Sequence, residues 1–275
     1  MNAQTIEHVH AADEDGTGGR IGRFLSDTRA VFTREIVVVL RDPFSLVFSL
    51  LQPLVFLALF APLLGGMVGG DGIGDASALE WFLPGVIVMI CVFGTGMTGS
   101  NLQYEMQTGS YERILASPLS RASILTGRAL KEFAPLVVQA LVITLVAVPL
   151  GVTPHLAHVL VGILLLGVFG IGLGALSYAL AIATRGKEWM FWTVQQSLTF
   201  PLLLLSGMML PLETGPDWMR TVARFNPLTY IVDAERELFM GTFASSTVLW
   251  GAVAAALTCA GGLAVGIRTI RRSAR

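Results

Sequence analysis

The chain reads as long apolar runs broken by short charged ones. Phe44 to Leu64 is apolar apart from Ser45, Ser49 and Gln52, and Phe82 to Gln103 is glycine-rich around Gly94, Gly96 and Gly99. Further apolar runs cover Phe133 to Leu150, Leu156 to Ala183, Trp189 to Leu210 and Val248 to Ile267. A helix rises 1.5 Å per residue, so roughly 20 such residues cross the hydrocarbon of a bilayer. The pattern therefore predicts six transmembrane helices. Asp42-Pro43 would start the first, as cap and first-turn proline, and Gly170-x-x-x-Gly174 gives the fourth a close-packing stripe. Gly65 to Glu80, Pro149 to Pro154 and Thr184 to Glu188 are the predicted connections.

Ahead of the first run, Ile21, Phe24, Leu25, Thr28, Val31, Phe32, Ile36, Val39 and Leu40 recur at the spacing of one helical face. At about 100° per residue, Arg20, Arg23, Asp27, Arg34 and Arg41 gather opposite them. Arg20 to Asp42 is thus predicted to be an amphipathic helix lying in the membrane surface. Glu35 falls on its apolar side, either paired with a neighbouring arginine or held for a docking partner.

Two polar inserts interrupt the bundle. Tyr104 to Arg121 is too short for a domain, and each of Glu105, Glu112, Arg113 and Arg121 would cost roughly 2.5–3.5 kcal/mol at mid-bilayer, so it lies outside the lipid. Gly109-Ser110 opens about two turns of helix, which must stop before Pro118. A charged helix held between two spans can act as a lever, because a soluble partner pushing on it moves both. The third span is entered through Arg128, Lys131 and Glu132, with Arg128 and Glu132 spaced to pair. The second insert, Pro211 to Ser246, predicts short helices over Pro216 to Phe225 and Pro227 to Met240, the latter capped by Asn226 and ended by Gly241. They mix Asp217, Arg220, Arg224, Asp233, Glu235, Arg236 and Glu237 with Trp218, Phe225, Leu228, Tyr230, Ile231 and Leu238, which suits the outer interface or a shallow re-entrant dip.

Composition agrees with the pattern. The 275 residues are 53% hydrophobic and 13% charged, against roughly 25% charged in a soluble domain, and mean hydropathy is +0.69. The fold class is an all-α polytopic membrane protein: a disordered cytoplasmic tail over 1–19, the interfacial helix over 20–42, a six-span domain over 43–268 and a basic cytoplasmic tail over 269–275. Residues 1–19 lack the apolar core and basic lead of a secretory leader. Placing both termini, the first insert and the 184–188 turn on one side collects all of the 18 lysines and arginines except Arg220, Arg224 and Arg236. The positive-inside rule makes that side cytoplasmic, and in a bacterium the membrane would be the plasma membrane.

Motifs exclude more than they assign. Lys131 and Lys187 are the only lysines, and neither completes a Gly-Lys-Ser/Thr phosphate loop. ATP and magnesium, if used, would sit on another chain. No His-Glu-x-x-His or Gly-x-Ser-x-Gly occurs, Cys91 and Cys259 lie in apolar runs as packing residues, and His155 with His158 makes a poor metal pair. No cofactor, metal or nucleic acid is called for. Polar uncharged residues inside the spans, namely Gln52, Asn101, Gln139, Tyr178, Thr193, Gln195, Gln196 and Thr199, are the candidates to line a pathway or to hydrogen-bond between helices. Missing intramembrane carboxylates argue against a proton-coupled carrier.

Arg34-Glu35 followed by Arg41-Asp42-Pro43, then Gly109-Ser-Tyr-Glu-Arg-Ile-Leu-Ala-Ser-Pro118, then Ser206-Gly-x-x-x-Pro211 with Asn226-Pro-Leu-Thr-Tyr230 and Asp233, occur in an order and spacing that resemble the permease subunits of type-2 ABC exporters, and among them the daunorubicin-resistance-like efflux permeases. The resemblance covers nearly all of Arg34 to Arg272. It implies two permease subunits, alike or related, working with two ATPase subunits to export amphipathic or lipid-like cargo. It also implies that Arg34, Glu35, Arg41, Gly109, Glu112, Arg113 and Pro118 receive the ATPase stroke, and that Ser206, Gly207, Pro211, Asn226, Pro227, Tyr230 and Asp233 form an outer gate. Two other readings compete with transport: a lipid-modifying membrane enzyme using Asp217, Asp233, Glu235 or Glu237 as acid or base, and a membrane assembly factor.

Overall fold

The structure, a computed structural model, describes residues 18–41, 43–68, 78–115, 119–209, 211–212 and 215–273. In chain order the helices are α1 (Gly18–Arg41), α2 (Pro43–Val68), α3 (Ala78–Gln107), α4 (Ser110–Leu115), α5 (Arg121–Lys131), α6 (Phe133–Ala147), α7 (Leu156–Ala183), α8 (Glu188–Leu204), α9 (Asp217–Ala223), α10 (Pro227–Phe239) and α11 (Ser246–Ser273). No strand occurs among the described residues. Local chemistry marks the boundaries. Ser120 starts α5 by accepting from the Ser123 amide, and Asn226 starts α10 by accepting from the Leu228 amide, with Pro227 in the first turn. Gly109 and Gly241 take left-handed φ values of 71° and 85°, which favour glycine, at the ends of α3 and α10.

Four segments are long and apolar enough to cross a membrane: Leu79–Gln107, Arg121–Leu150, Leu156–Ala183 and Ser246–Arg272. α2 contributes a shorter apolar stretch, Val47–Phe60, and the 17 residues of α8 extend about 25 Å.

α7 is the axis of the bundle. It runs parallel to α3, and polar contacts rung the pair: the Cys91 thiol donates to Leu166 O, Ser177 Oγ donates to Gly96 O at 2.9 Å, and Gln103 donates to Ala181 O at 3.0 Å. It also runs parallel to α11, where Gly172 meets Thr258 and Gly262, and Gly266 meets Ala175. Gly170 and Gly174 face Thr95 and Thr98 of α3, which gives the predicted stripe its partner. Three long helices can approach this closely only because these positions lack side chains.

The interfacial helix forms much as its periodicity requires. Thr28 and Val31 are buried and Phe24, Phe32, Ile36 and Val39 half-buried, while Arg23, Arg29, Arg34 and Arg41 are exposed. Leu25, placed on the apolar face, is 60% exposed. The helix packs on α4 and α5 through a cluster of Val31, Ile114 and Ile124, and Asp27 accepts from the Ser120 amide at 3.2 Å.

Several boundaries differ from the sequence expectation: α8 ends at Leu204 and not Leu210, and α11 continues to Ser273 past Ile267. α3 continues through Glu105 to Gln107, so the first insert is shorter and Glu105 belongs to a long helix. The third span starts at Arg121 rather than Phe133, because α5 and α6 follow one another with only Glu132 between them. The predicted connection from Gly65 is helical as far as Val68; the rest of it to Ser77, the tail before Gly18, the Asp42 cap and Pro118 lie outside the described residues.

Gly262→Leu should wedge a branched side chain against the Gly172 backbone. Overpacking of this kind costs about 1–3 kcal/mol, so the detergent-solubilised variant should melt several degrees below the parent protein; an unchanged melting temperature would show that α7 and α11 are not in close contact.

Candidate functional site

The densest set of charges lies where α1, α3 and α5 meet. Arg128 of α5 donates to Glu105 of α3 at 2.5 Å, and its Nε is 3.7 Å from Glu35 of α1. Lys131 reaches Glu35 at 3.4 Å and Glu132 at 3.8 Å, and Thr98 donates to Glu132 at 3.3 Å. The Arg128 side chain is only 5% exposed, and its guanidinium carbon lies 5.8 Å from the centroid of the buried Tyr178 ring. Charges this secluded are stable only when paired. Arg128 therefore hydrogen-bonds to Glu105 and forms a longer ion pair with Glu35, not a pair with Glu132 as its spacing suggested, because α3 passes closer than the next turn of its own chain. Glu35 is accounted for by Lys131 and Arg128, the neighbour-pairing alternative with a lysine added.

These groups form the mouth of a cavity of about 520 Å³. Arg34, Glu35, Glu105, Lys131 and Glu132 line it at one end, and Ile90, Phe133, Leu136 and Ile171 line it deeper in the bundle. Asn101 and Gln139 lie on its wall, and Gln139 donates to Ser49 of α2. A charged entrance over an apolar floor complements a molecule with an apolar body and a polar end.

The other predicted pathway residues lie elsewhere. Tyr178 is 0% exposed inside the core and faces no opening. Gln52 is exposed on α2, Thr193 is exposed on α8 with its hydroxyl donating to Trp189 O at 2.8 Å, and Gln196 and Thr199 are half-buried on α8. Gln195, not Gln196, reaches the bundle, accepting from Ser177 at 3.1 Å.

Of the predicted coupling residues, Arg34 and Glu35 lie at the cavity mouth, Arg41 is exposed at the end of α1, and Gly109 turns the chain from α3 into α4. Arg113 is exposed on α4, and Tyr111 anchors that helix at 2% exposure. Glu112 occupies α4, and its side chain lies outside the described residues.

The predicted gate residues cluster at the opposite end of α3. Asn226 Nδ2 donates to Leu202 O at 2.8 Å, and Tyr230 Oη donates to Arg224 O at 2.8 Å. Ser206 Oγ donates to Leu203 O at 2.7 Å and accepts from the Met208 amide. Pro211 is half-buried, and Pro227 opens α10. Asp233 lies 3.5 Å from Arg236. Arg236, not singled out as a gate residue, is the group that ties this end together. It donates to Gly207 O at 2.8 Å and to Trp81 O at 3.3 Å, and stacks 3.7 Å above the Trp81 ring. A signal in the sequence is its i, i+3 spacing from Asp233. His158 stacks on Phe243 at 3.7 Å, and no group of three metal-ligating side chains occurs among the described residues.

Arg128→Met would leave Glu35 and Glu105 facing each other without their shared cation. The expected loss is about 3 kcal/mol, read as a lower melting temperature, with Glu105→Gln in the same background recovering part of it. A neutral Arg128→Met would show that the cluster does not hold α1 to α3.

Comparison with known proteins identifies the family. A family model described as "ABC-2 type transporter" matches residues 26–240. The daunorubicin resistance ABC transporter permease protein DrrB1 of Streptomyces coeruleorubidus is 28% identical over 220 residues, covering 79% of this chain and 76% of that protein. The probable doxorubicin resistance ABC transporter permease protein DrrC of Mycobacterium tuberculosis is 24% identical, covering 89% of each. The probable multidrug ABC transporter permease YbhR of Escherichia coli is 22% identical, covering 63% of this chain and 47% of that protein.

Proposed function

The chain belongs to the ABC-2 type transporter family, and from that premise we propose that it is the membrane permease subunit of an ATP-driven exporter that moves an amphipathic, drug-like or lipid-like molecule out of the cell. The observation that carries the reading is the cavity of about 520 Å³ with a charged mouth, formed in part by Glu105 near the end of α3 that turns into α4, and an apolar floor. A separate ATPase supplies the work, holding ATP and magnesium on its own chain. It docks on α4 and the exposed arginines of α1, which face the cytoplasm of a bacterial cell together with both termini.

α3 transmits the stroke. One of its ends is bound to α1 and α5 through Glu105, Arg128 and Glu35, and the other carries Trp81 beneath Arg236 of α10. Trp81 and Glu105 are separated by about 36 Å of continuous helix, so a push on the lever shifts the seat of α10. The gate formed by Ser206, Gly207, Pro211, Asn226, Pro227, Tyr230 and Asp233 then opens outward.

α2 and α8 complete a six-span topology, and a second permease packs across them. Phe44, Val47, Phe48, Leu51 and Val55 of α2 and Trp189, Leu198, Phe200 and Leu204 of α8 are exposed apolar residues suited to a partner or to lipid. Gln52, Thr193, Gln196 and Thr199 on the same helices would line a path between the two copies. The enzyme reading has less support: Asp217 pairs with Arg220, Asp233 pairs with Arg236, and Glu235 is buried.

Arg113→Ala should lower ATP-dependent export into inverted vesicles about tenfold, the loss of one contact worth about 1.4 kcal/mol in the rate-setting step, while the purified permease keeps its melting temperature. Export at the parent rate would remove the coupling role from α4.

A further inference from the structure

Glu235 is a buried acid at the gate whose burial no hydrogen bond explains. It is 1% exposed, its Oε1 has no hydrogen-bond partner, and its carboxylate rests against Gly162 of α7, where a side chain would collide with Oε2. The surrounding titratable and charged groups leave it alone. Arg236 is turned to Trp81, Gly207 and Met208, and Asp233 accompanies it. Glu237 is half-buried further along α10, and Arg220 and Arg224 on and after α9 are exposed. α3 presents Glu80 and the Cys91 thiol, which donates to Leu166 O. α7 presents His155, beside Gly241, and His158, stacked on Phe243, and α11 carries Cys259 and, toward its C-terminal end, the exposed Arg268, Arg271 and Arg272. None of these bonds to Glu235 Oε1.

An ionised carboxylate in such a place is costly, and the group takes a proton instead. We propose that Glu235 is a proton-binding site that controls the seating of α10: protonated, it lets the helix pack on Gly162; ionised, it drives the helix away from α7. The proton is held on the carboxyl while α10 is seated and leaves to water when α10 separates, where the carboxylate is hydrated. α10 lies outside the membrane-crossing helices, and desolvation by burial pushes the Glu235 carboxyl from 4.5 up to about 8. Because the folded chain then holds a proton that the unfolded chain has released, stability is greatest below about pH 4.5 and falls as the pH rises through about 8.

The full-length chain in lipid nanodiscs tests this without any cargo or ATPase, so the result is independent of the transport reading. In the infrared spectrum at about pH 6, a protonated-carboxyl band should be present, disappear as the pH passes about 8 and be missing from Glu235→Gln. By hydrogen exchange, α10 amides should be equally protected in both proteins at about pH 4, and about thirtyfold less protected in the parent than in Glu235→Gln at about pH 6, the gap widening until about pH 8. Gly162→Ala should loosen α10 at every pH, and Glu235→Ala in that background should restore it, which keeps the test informative if Glu235→Gln folds poorly. Absence of the band, equal protection at both pH values, or no rescue of Gly162→Ala would overturn the proposal.

Discussion

The structure depends on one shared cation. Arg128 is nearly sealed from water and lies between carboxylates supplied by two other helices, Glu105 of α3 and Glu35 of α1. Neither carboxylate alone balances its surroundings, since Lys131 and Glu132 add a charge of each sign beside them. A secluded charge of this kind adds little net stability relative to an apolar core, but it penalises every arrangement in which its partners are absent. The interfacial helix, which periodicity alone would leave free to slide along the membrane surface, is thereby fixed in register against the bundle.

That constraint gives the rest of the fold its mechanical sense. α3 is packed along its length by the glycine-spaced face of α7 and is tied at each end by an arginine, Arg128 at the charged mouth and Arg236 over Trp81. The two ends differ in what they bury. At the mouth every described acid has a basic or hydroxyl partner, whereas at the other end Glu235 lies against Gly162 with none. An end held by matched charges resists movement, and an end holding an unmatched acid can be released. The cavity opens beside the first and leads toward the second.

Much of this was legible in the residues. Apolar runs located α2, α3, α6, α7, α8 and α11, although α8 stops six residues before the end of its run and α11 continues six residues beyond; Asn226-Pro227 marked the start of α10, and Gly109 marked the turn into α4, because hydrophobic length and capping chemistry are local properties. Glu35 on the apolar face of α1 was a true signal of a tertiary charge. Its partners were not legible, since which helix passes Arg128 depends on packing and not on spacing along one helix. For the same reason Glu105, placed in the polar insert, belongs to α3, Tyr178 is enclosed in the core, and the surroundings of Glu235 and Arg236 could not be told from those of the other charged residues on the outer helices. Polar residues on helices report that they need partners without saying where the partners are.

The account turns on which face of the membrane carries α4. The most direct measurement is labelling of an Arg113→Cys variant, in a background with Cys91→Ala and Cys259→Ala, by a membrane-impermeant thiol reagent applied to intact cells and to inverted vesicles. The account predicts labelling in inverted vesicles, blocked by the bound ATPase, and none in intact cells. Labelling from outside intact cells would contradict it, because a lever on that side could not receive a stroke from a cytoplasmic ATPase.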